Sequence, residues 1–161
     1  MNDKVEKVWG HINDIGVCML TTQTGSGLRS RPMMAMADSE SNTIRFIADR
    51  RQAKDDEIKA SPEVGLTFCD TSGKVFLSVT GMAKIDQRQQ EVRDHWVSMA
   101  DLWFDHGKDD PNAILIVVTP CLAEYWEGLG TAAQSIEMIK AKLSGGKPDL
   151  GENDMVKMAG R

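Results

Sequence analysis

Short runs of β-branched and apolar residues, each closed by a cluster of turn formers, recur along most of this chain, and that alternation limits its possible folds more than any other feature. Residues 17–22 form the first run, Thr24-Gly25-Ser26-Gly27 is a turn cluster, and residues 28–37 read as the return strand of a hairpin. Residues 38–42 make another turn and 43–48 a third strand. Residues 64–69, 74–85, 113–119 and 122–127 also read as strands, with a turn at 70–73. Helical spacing interrupts this pattern in four places. Val5, Val8, Trp9, Ile12 and Ile15 mark an amphipathic helix ahead of Gly16. Residues 52–60 give a short charged helix that stops at Ser61-Pro62. Val92, Trp96, Met99 and Trp103 step by four, three and four, which predicts a helix with both tryptophans on one face. Residues 131–143 carry the same spacing at Ala132, Ile136, Ile139 and Leu143, before Gly145-Gly146.

Six or seven strands joined mostly by tight turns point to an antiparallel barrel decorated with helices, a mainly β, α+β fold, rather than a parallel α/β sheet. The strands at 74–85 and 113–119 are apolar enough to be buried. A barrel this small encloses little volume, so a sizeable ligand has to bind outside it, in a groove or at a subunit contact. The 161 residues show no repeat or linker before the last seventeen. The organisation predicted is therefore one domain over 1–144 and a tail over 145–161, either a short strand or disordered.

The 19 basic and 24 acidic residues leave a net charge of −5, the wrong sign for a nucleic-acid or anionic-membrane partner. No apolar run approaches a membrane span and the amino terminus is charged, so a cytoplasmic location is expected. Cys18, Cys69 and Cys121 form no pair with metal or disulfide spacing, and His11, His95 and His106 show no ligand pattern, so no metal is expected. Gly25-Ser26-Gly27 leads into a strand, with Ser30 at the third glycine position of a dinucleotide fingerprint. Gly146-Lys147 has Ala141 where a phosphate loop needs glycine, so that motif fails too. No nucleophile elbow and no acid–base carboxylate pair is present, and no catalytic residue is assigned.

The acidic balance has one local exception. Arg29 and Arg31 lie two apart on a strand and project from one face, and Arg50, Arg51 and Lys54 follow where the next strand meets a short helix. Brought together, these cations and the free N–H groups of the helix start would bind a phosphate monoester. Equally, they could be solvated charges pairing with Asp49, Asp55, Asp56 and Glu57.

Three stretches taken in order bear on that choice: Arg29-Ser30-Arg31-Pro32-Met33; Phe46-Ile47-Ala48-Asp49-Arg50 with Lys54 and Ile58; and Phe76-Leu77-Ser78-Val79-Thr80-Gly81. Together they resemble the flavin-binding split-barrel superfamily of pyridoxamine 5′-phosphate oxidase. Trp103-Phe104, Gly107-Lys108-Asp109-Asp110-Pro111 and Ala123-Glu124-Tyr125-Trp126 extend the likeness to its general stress protein branch. The match runs from about Val5 to Trp126, with a looser echo at 151–156.

The resemblance implies a six-stranded antiparallel Greek-key split β-barrel that pairs into a homodimer, with one FMN at each end of the interface. Arg31 and Lys54 match positions that hold the FMN phosphate, and Arg29 is a further cofactor-binding candidate. Pro32, Met33 and Met34, with Ala48 and Asp49, match the backbone along the isoalloxazine ring, and Trp103 would approach from the partner chain. Tyr125 and Trp126 read as packing at the dimer contact. Three departures stand out. Gln52 replaces a small hydroxyl residue, Ala48 a frequent threonine, and Met36 the lysine that binds substrate phosphate in the oxidase itself. Oxidation of vitamin B6 is therefore not expected. The expected functions are an FMN-dependent oxidoreductase acting on a small molecule with NAD(P)H or another electron carrier, a non-catalytic FMN store or sensor, or a flavin-free dimer acting as a binding module.

Overall fold

The computed structural model describes residues 3–52, 54–129 and 131–158. The elements in order are α1 (Asp3–Ile15), β1 (Val17–Thr24), β2 (Gly27–Met34), β3 (Met36–Asp38), β4 (Thr43–Asp49), α2 (Lys54–Ala60), β5 (Glu63–Asp70), β6 (Val75–Asp86), α3 (Gln89–Asp94), β7 (Ala113–Gly128), α4 (Thr131–Ser144) and β8 (Gly151–Lys157). Short 3₁₀ turns cover Arg50–Gln52, Ser98–Leu102 and Gly107–Asp109. The sheet runs β2-β1-β5-β6-β7-β4-β3, with β8 added on β7, and every pairing is antiparallel. The architecture is thus mainly antiparallel β with a few helices, as the sequence predicts. The described residues contain eight strands, however, against the six that the family resemblance implies.

The difference in count has local causes. The expected return strand at 28–37 divides at Ala35, whose N–H donates to the Gly16 carbonyl (2.8 Å) and leaves β2 and β3 on either side. Pro32, which cannot donate to a ladder, sits in β2 at the sheet edge. Conversely, the runs at 113–119 and 122–127 are a single strand. A proline inside a strand reads as a break, but Pro120 falls at a bulge. Thr80 pairs with Leu122 while Gly81 pairs with Pro120, so Cys121 is the extra residue of β7. On its other side β7 pairs with β4 over Ala113–Val118 and with β8 over Leu122–Gly128, which makes it the strand that joins the two parts of the sheet.

Alternation along the strands sends one face inward. Leu20, Phe46, Leu66, Phe68, Val79, Ile116 and Tyr125 meet there in one core, closed by Val8, Trp9 and Ile12 of α1. A smaller cluster forms on the opposite face of β7, where Ala113, Leu115 and Val117 are covered by Val92, Ala100 and Phe104. That cover is where the predicted tryptophan helix breaks. α3 ends at Asp94, and the chain turns before the 3₁₀ turn Ser98–Leu102, so Trp96 and Trp103 do not share a helical face. Trp96 instead donates its indole N–H to Asp101 Oδ1 (2.9 Å) and meets Phe104 edge-on, with ring centroids 5.5 Å apart.

Tyr125 is also placed differently from the dimer contact predicted for it. It is fully buried in the core, and its hydroxyl donates to Glu152 Oε1 of β8 (2.7 Å). Burial first, and the neighbouring Glu152 second, push its phenol up to about 12. Lys7 of α1 donates to Glu152 Oε2 (2.7 Å), so the helix that opens the chain and the strand near its end are fastened through one carboxylate. Among the described residues no helix is long and apolar enough to cross a membrane.

Candidate functional site

A cleft of about 360 Å³ opens on the outside of the sheet, between the ends of β2 and β4 and the 3₁₀ segment that covers β7. From β2 and the following residues come Pro32, Met33, Met34 and Met36; from β4 and its exit come Ile47, Ala48, Asp49 and Gln52. Val97, Met99, Ala100, Trp103 and Phe104 form the opposite wall. The edge-on packing of Phe104 against Trp96 and the Trp96–Asp101 hydrogen bond fix this wall. They leave Trp103 66% exposed beside the cleft, an indole face free to cover a flat ligand. Trp103 therefore lines the cleft of its own chain.

Among the described residues Asp49 is the one charged side chain in the lining. Its carboxylate accepts from the Arg51 N–H (2.9 Å), from Arg51 Nε (2.9 and 3.1 Å) and from Arg51 Nη2 (2.6 Å). Gln52 is neutral, and the remaining lining side chains are apolar. A site of this composition holds a flat, largely apolar group through its walls and orients it through few polar contacts.

Six of the nine sequence-predicted residues converge on this cleft: Pro32, Met33, Met34, Ala48, Asp49 and Trp103. Arg29 and Arg31 do not line it. They share a face of β2 with Met33 but lie farther along the strand, Arg29 exposed and Arg31 with only 11% of its side chain exposed. Lys54 opens α2, but its side chain lies outside the described residues. Arg31 donates through Nη2 to Glu57 Oε1 (2.7 Å) and through Nη1 to Thr22 Oγ1 (2.8 Å), and Thr22 donates to Glu57 Oε2 (2.6 Å). The three side chains close a ring. The Arg31 guanidinium, aided by the Thr22 hydroxyl, holds the Glu57 carboxyl below the usual carboxylate range in spite of burial. Glu57 lies three residues beyond Lys54 on α2, so this ring docks the start of that helix on the strand that carries Arg31.

Three cations of the basic cluster thus have partners within the chain. Arg51 and Arg31 have acidic partners, and Arg50 reaches Gln87 (2.8 Å), while Arg31 and the start of α2 are brought together. Thr22 and the Ser98–Leu102 wall went unassigned in the sequence. Thr22 reads as an ordinary strand residue, and only its register opposite Arg29 places it beside the basic strand.

The model of pyridoxamine 5′-phosphate oxidase-like proteins matches residues 3–149. General stress protein 26 of Bacillus subtilis (strain 168) is 32% identical over 81 residues, which is 48% of this chain and 57% of that protein. Protein bli-3 of Neurospora crassa is 27% identical over 117 residues, 66% of this chain and 56% of that protein. The chain therefore spans little more than half the length of these curated relatives. Among solved structures, one described as a general stress protein 26 from Jannaschia sp. CCS1 superposes with a TM-score of 0.79 at 27% identity, covering 98% of this chain and 99% of that one. A general stress FMN/FAD binding protein from Xanthomonas citri shares the fold, with a TM-score of 0.68, 24% identity and coverage of 79% and 90%. With a match that runs through nearly the whole sheet and both walls of the cleft, the chain belongs to the pyridoxamine 5′-phosphate oxidase-like family.

Proposed function

We propose that this chain is an FMN-binding split-barrel protein of the general stress type, a homodimer that acts as a flavin-dependent oxidoreductase on a small molecule with NAD(P)H or another electron carrier. The observation that carries the reading is the convergence of Pro32, Met33, Met34, Ala48, Asp49 and Trp103 on one apolar cleft. Its volume of about 360 Å³ lies within the usual range for small-molecule sites, and its walls suit a flat ring system. A charged phosphate does not suit those walls. It would sit beyond the cleft, toward Arg31 and Lys54. The name of the Xanthomonas citri neighbour, an FMN/FAD binding protein, supports the same choice of ligand.

A bound flavin supplies hydride and single-electron chemistry. This chain's residues would do the rest: Met34, Met36 and Met99 keep the ring dry, Trp103 covers it, and Asp49, fixed by Arg51, presents its backbone and a locked carboxylate at the edge. Among the described residues that wall holds Met36 and no cation for a second phosphate, which argues against pyridoxamine 5′-phosphate as substrate. The scarcity of proton donors also favours a second reading, a flavin store or sensor without turnover. Titration of the purified protein with FMN, followed by tryptophan fluorescence and visible absorption, is expected to reach one FMN per chain. Oxidation of NADH or NADPH by the loaded protein supports the oxidoreductase, and binding without turnover supports the store. Failure to take up FMN sinks both and leaves the flavin-free module.

Support for the homodimer comes from the outer face of the sheet. Met34 pairs with Val17, Cys69 with Phe76, and Phe76 with Trp126, and all five side chains are exposed there. Phe76 is 44% exposed and Trp126 40%. An apolar row of this kind on a strand face marks an interaction surface, and it adjoins the cleft through Met34. The wild-type protein is expected to sediment at about twice 17.8 kDa, and Phe76→Glu to shift it toward the single-chain mass. A wild-type protein that sediments as one chain refutes the dimer.

A further inference from the structure

We infer that Glu57 is the positioning residue for the flavin phosphate, acting through Arg31; the inference rests on the flavin reading above. The argument starts from the stereochemistry of the guanidinium. Arginine has five N–H donors in a plane, two on each terminal nitrogen and one on Nε. The Arg31–Thr22–Glu57 ring uses Nη1 and Nη2 together: Nη1 meets Thr22 Oγ1 at 2.8 Å, Nη2 meets Glu57 Oε1 at 2.7 Å, and Thr22 joins Glu57 Oε2 at 2.6 Å. A ring closed at that end of the guanidinium leaves the side edge, formed by Nε–H and the second Nη2 hydrogen, as the pair of parallel donors that an oxyanion accepts in bidentate fashion.

That edge is open. Nε of Arg31 has no partner among the described residues. The guanidinium is held by Thr22 and Glu57, with 11% of the Arg31 side chain and 13% of the Glu57 side chain exposed. An arginine free on its stem would have to be ordered when the phosphate arrives; here it is ordered beforehand, and the cost of fixing its rotamers falls on folding. Glu57 also brings a negative charge toward an anion site. This charge meets Nη2 from the end edge and so lies beside the side edge that shares that nitrogen, but it is already compensated by Arg31 and Thr22. On this inference, fixing the guanidinium outweighs the repulsion that remains.

The test compares FMN with riboflavin, which differ by the phosphate, on the full chain. Glu57→Ala is expected to weaken FMN binding about tenfold while riboflavin affinity stays within about twofold. Glu57→Gln keeps a carbonyl for Arg31 Nη2 and an amide for Thr22, and is expected to restore FMN affinity to within about threefold of wild type. Three outcomes overturn the inference: FMN affinity unchanged in Glu57→Ala, FMN and riboflavin affinities falling together, or both variants binding FMN more tightly, which would make Glu57 a competitor of the phosphate. Wild-type protein that binds neither flavin overturns the flavin reading itself, and this inference with it. A wild-type protein that binds both, with Glu57 variants that preserve their ratio, overturns the inference alone.

Discussion

Gly81→Ala is expected to destabilise the protein by about 3 kcal/mol, because a methyl group has no room at the β6–β7 bulge. A Cβ built at Gly81 lies 2.6 Å from the Thr119 carbonyl oxygen, 2.8 Å from Val118 Cγ1 and 3.1 Å from Pro120 Cα. Two of these three atoms are backbone of β7, which is clamped by β6 on one side and by β4 and β8 on the other. The clash therefore cannot be relieved by turning one side chain. The entropic gain of replacing glycine, about 0.4–1 kcal/mol, is too small to offset it. In a chain of this size each kcal/mol moves the midpoint by about 2–4 °C, so thermal unfolding is expected to shift down by roughly 6–12 °C. A shift of a degree or less would show that the bulge can relax. Gly65→Ala is the control: it stands on neighbouring β5, where the added Cβ finds only Thr21 Cβ at 3.8 Å.

Arg31→Ala is expected to do two kinds of harm that a second substitution separates. It leaves the Glu57 carboxylate, 13% exposed, without its cation, and removing one partner of a buried pair costs about 3 kcal/mol. It also removes the donors proposed for the phosphate, which weakens FMN binding about 10- to 150-fold and leaves riboflavin binding unchanged. Adding Glu57→Ala removes the orphaned carboxylate, so the double variant recovers most of the stability and none of the FMN affinity. The stability loss also has a pH signature. The folded-state pKa of Glu57 is depressed below its ordinary value of 4.5, so the pair's contribution is complete above that value and is lost as pH falls through the folded one. Wild type and Arg31→Ala should therefore converge in stability as pH drops below about 4.5, as measured by urea unfolding. A gap that stays constant into acid would mean that Glu57 does not carry the difference.

The elements set by local chemistry were legible in the sequence. α1, the β1–β2 turn and the strands from β4 to β6 follow from period and turn residues. The misreadings share one cause: a long-range partner decided the outcome. Pro120 reads as a strand break because nothing local announces a bulge opposite Gly81. The spacing of Val92, Trp96, Met99 and Trp103 reads as one helix. Packing on Leu115 and Val117 instead favours a chain that breaks after Asp94, with Trp96 folded against Phe104. Tyr125 and Trp126 were read together as surface contacts, yet strand alternation sends the first into the core and leaves the second outside. For the site, residue types in order were enough to bring six cleft residues together. The Arg31–Glu57–Thr22 ring was not legible, since it needs the register of β1 on β2 and the docking of α2.

The bond between Lys7 and Glu152 spans 145 positions. During synthesis a ribosome would release the first helix long before the strand that anchors it emerges. In that interval Val8, Trp9 and Ile12 have to be sheltered by sheet strands made earlier or by a chaperone. Pairing of β8 with β7 follows the emergence of every other sheet strand described, so β8 acts as a late clasp on α1, and a variant unable to pair it would leave that helix unfastened and open to proteolysis.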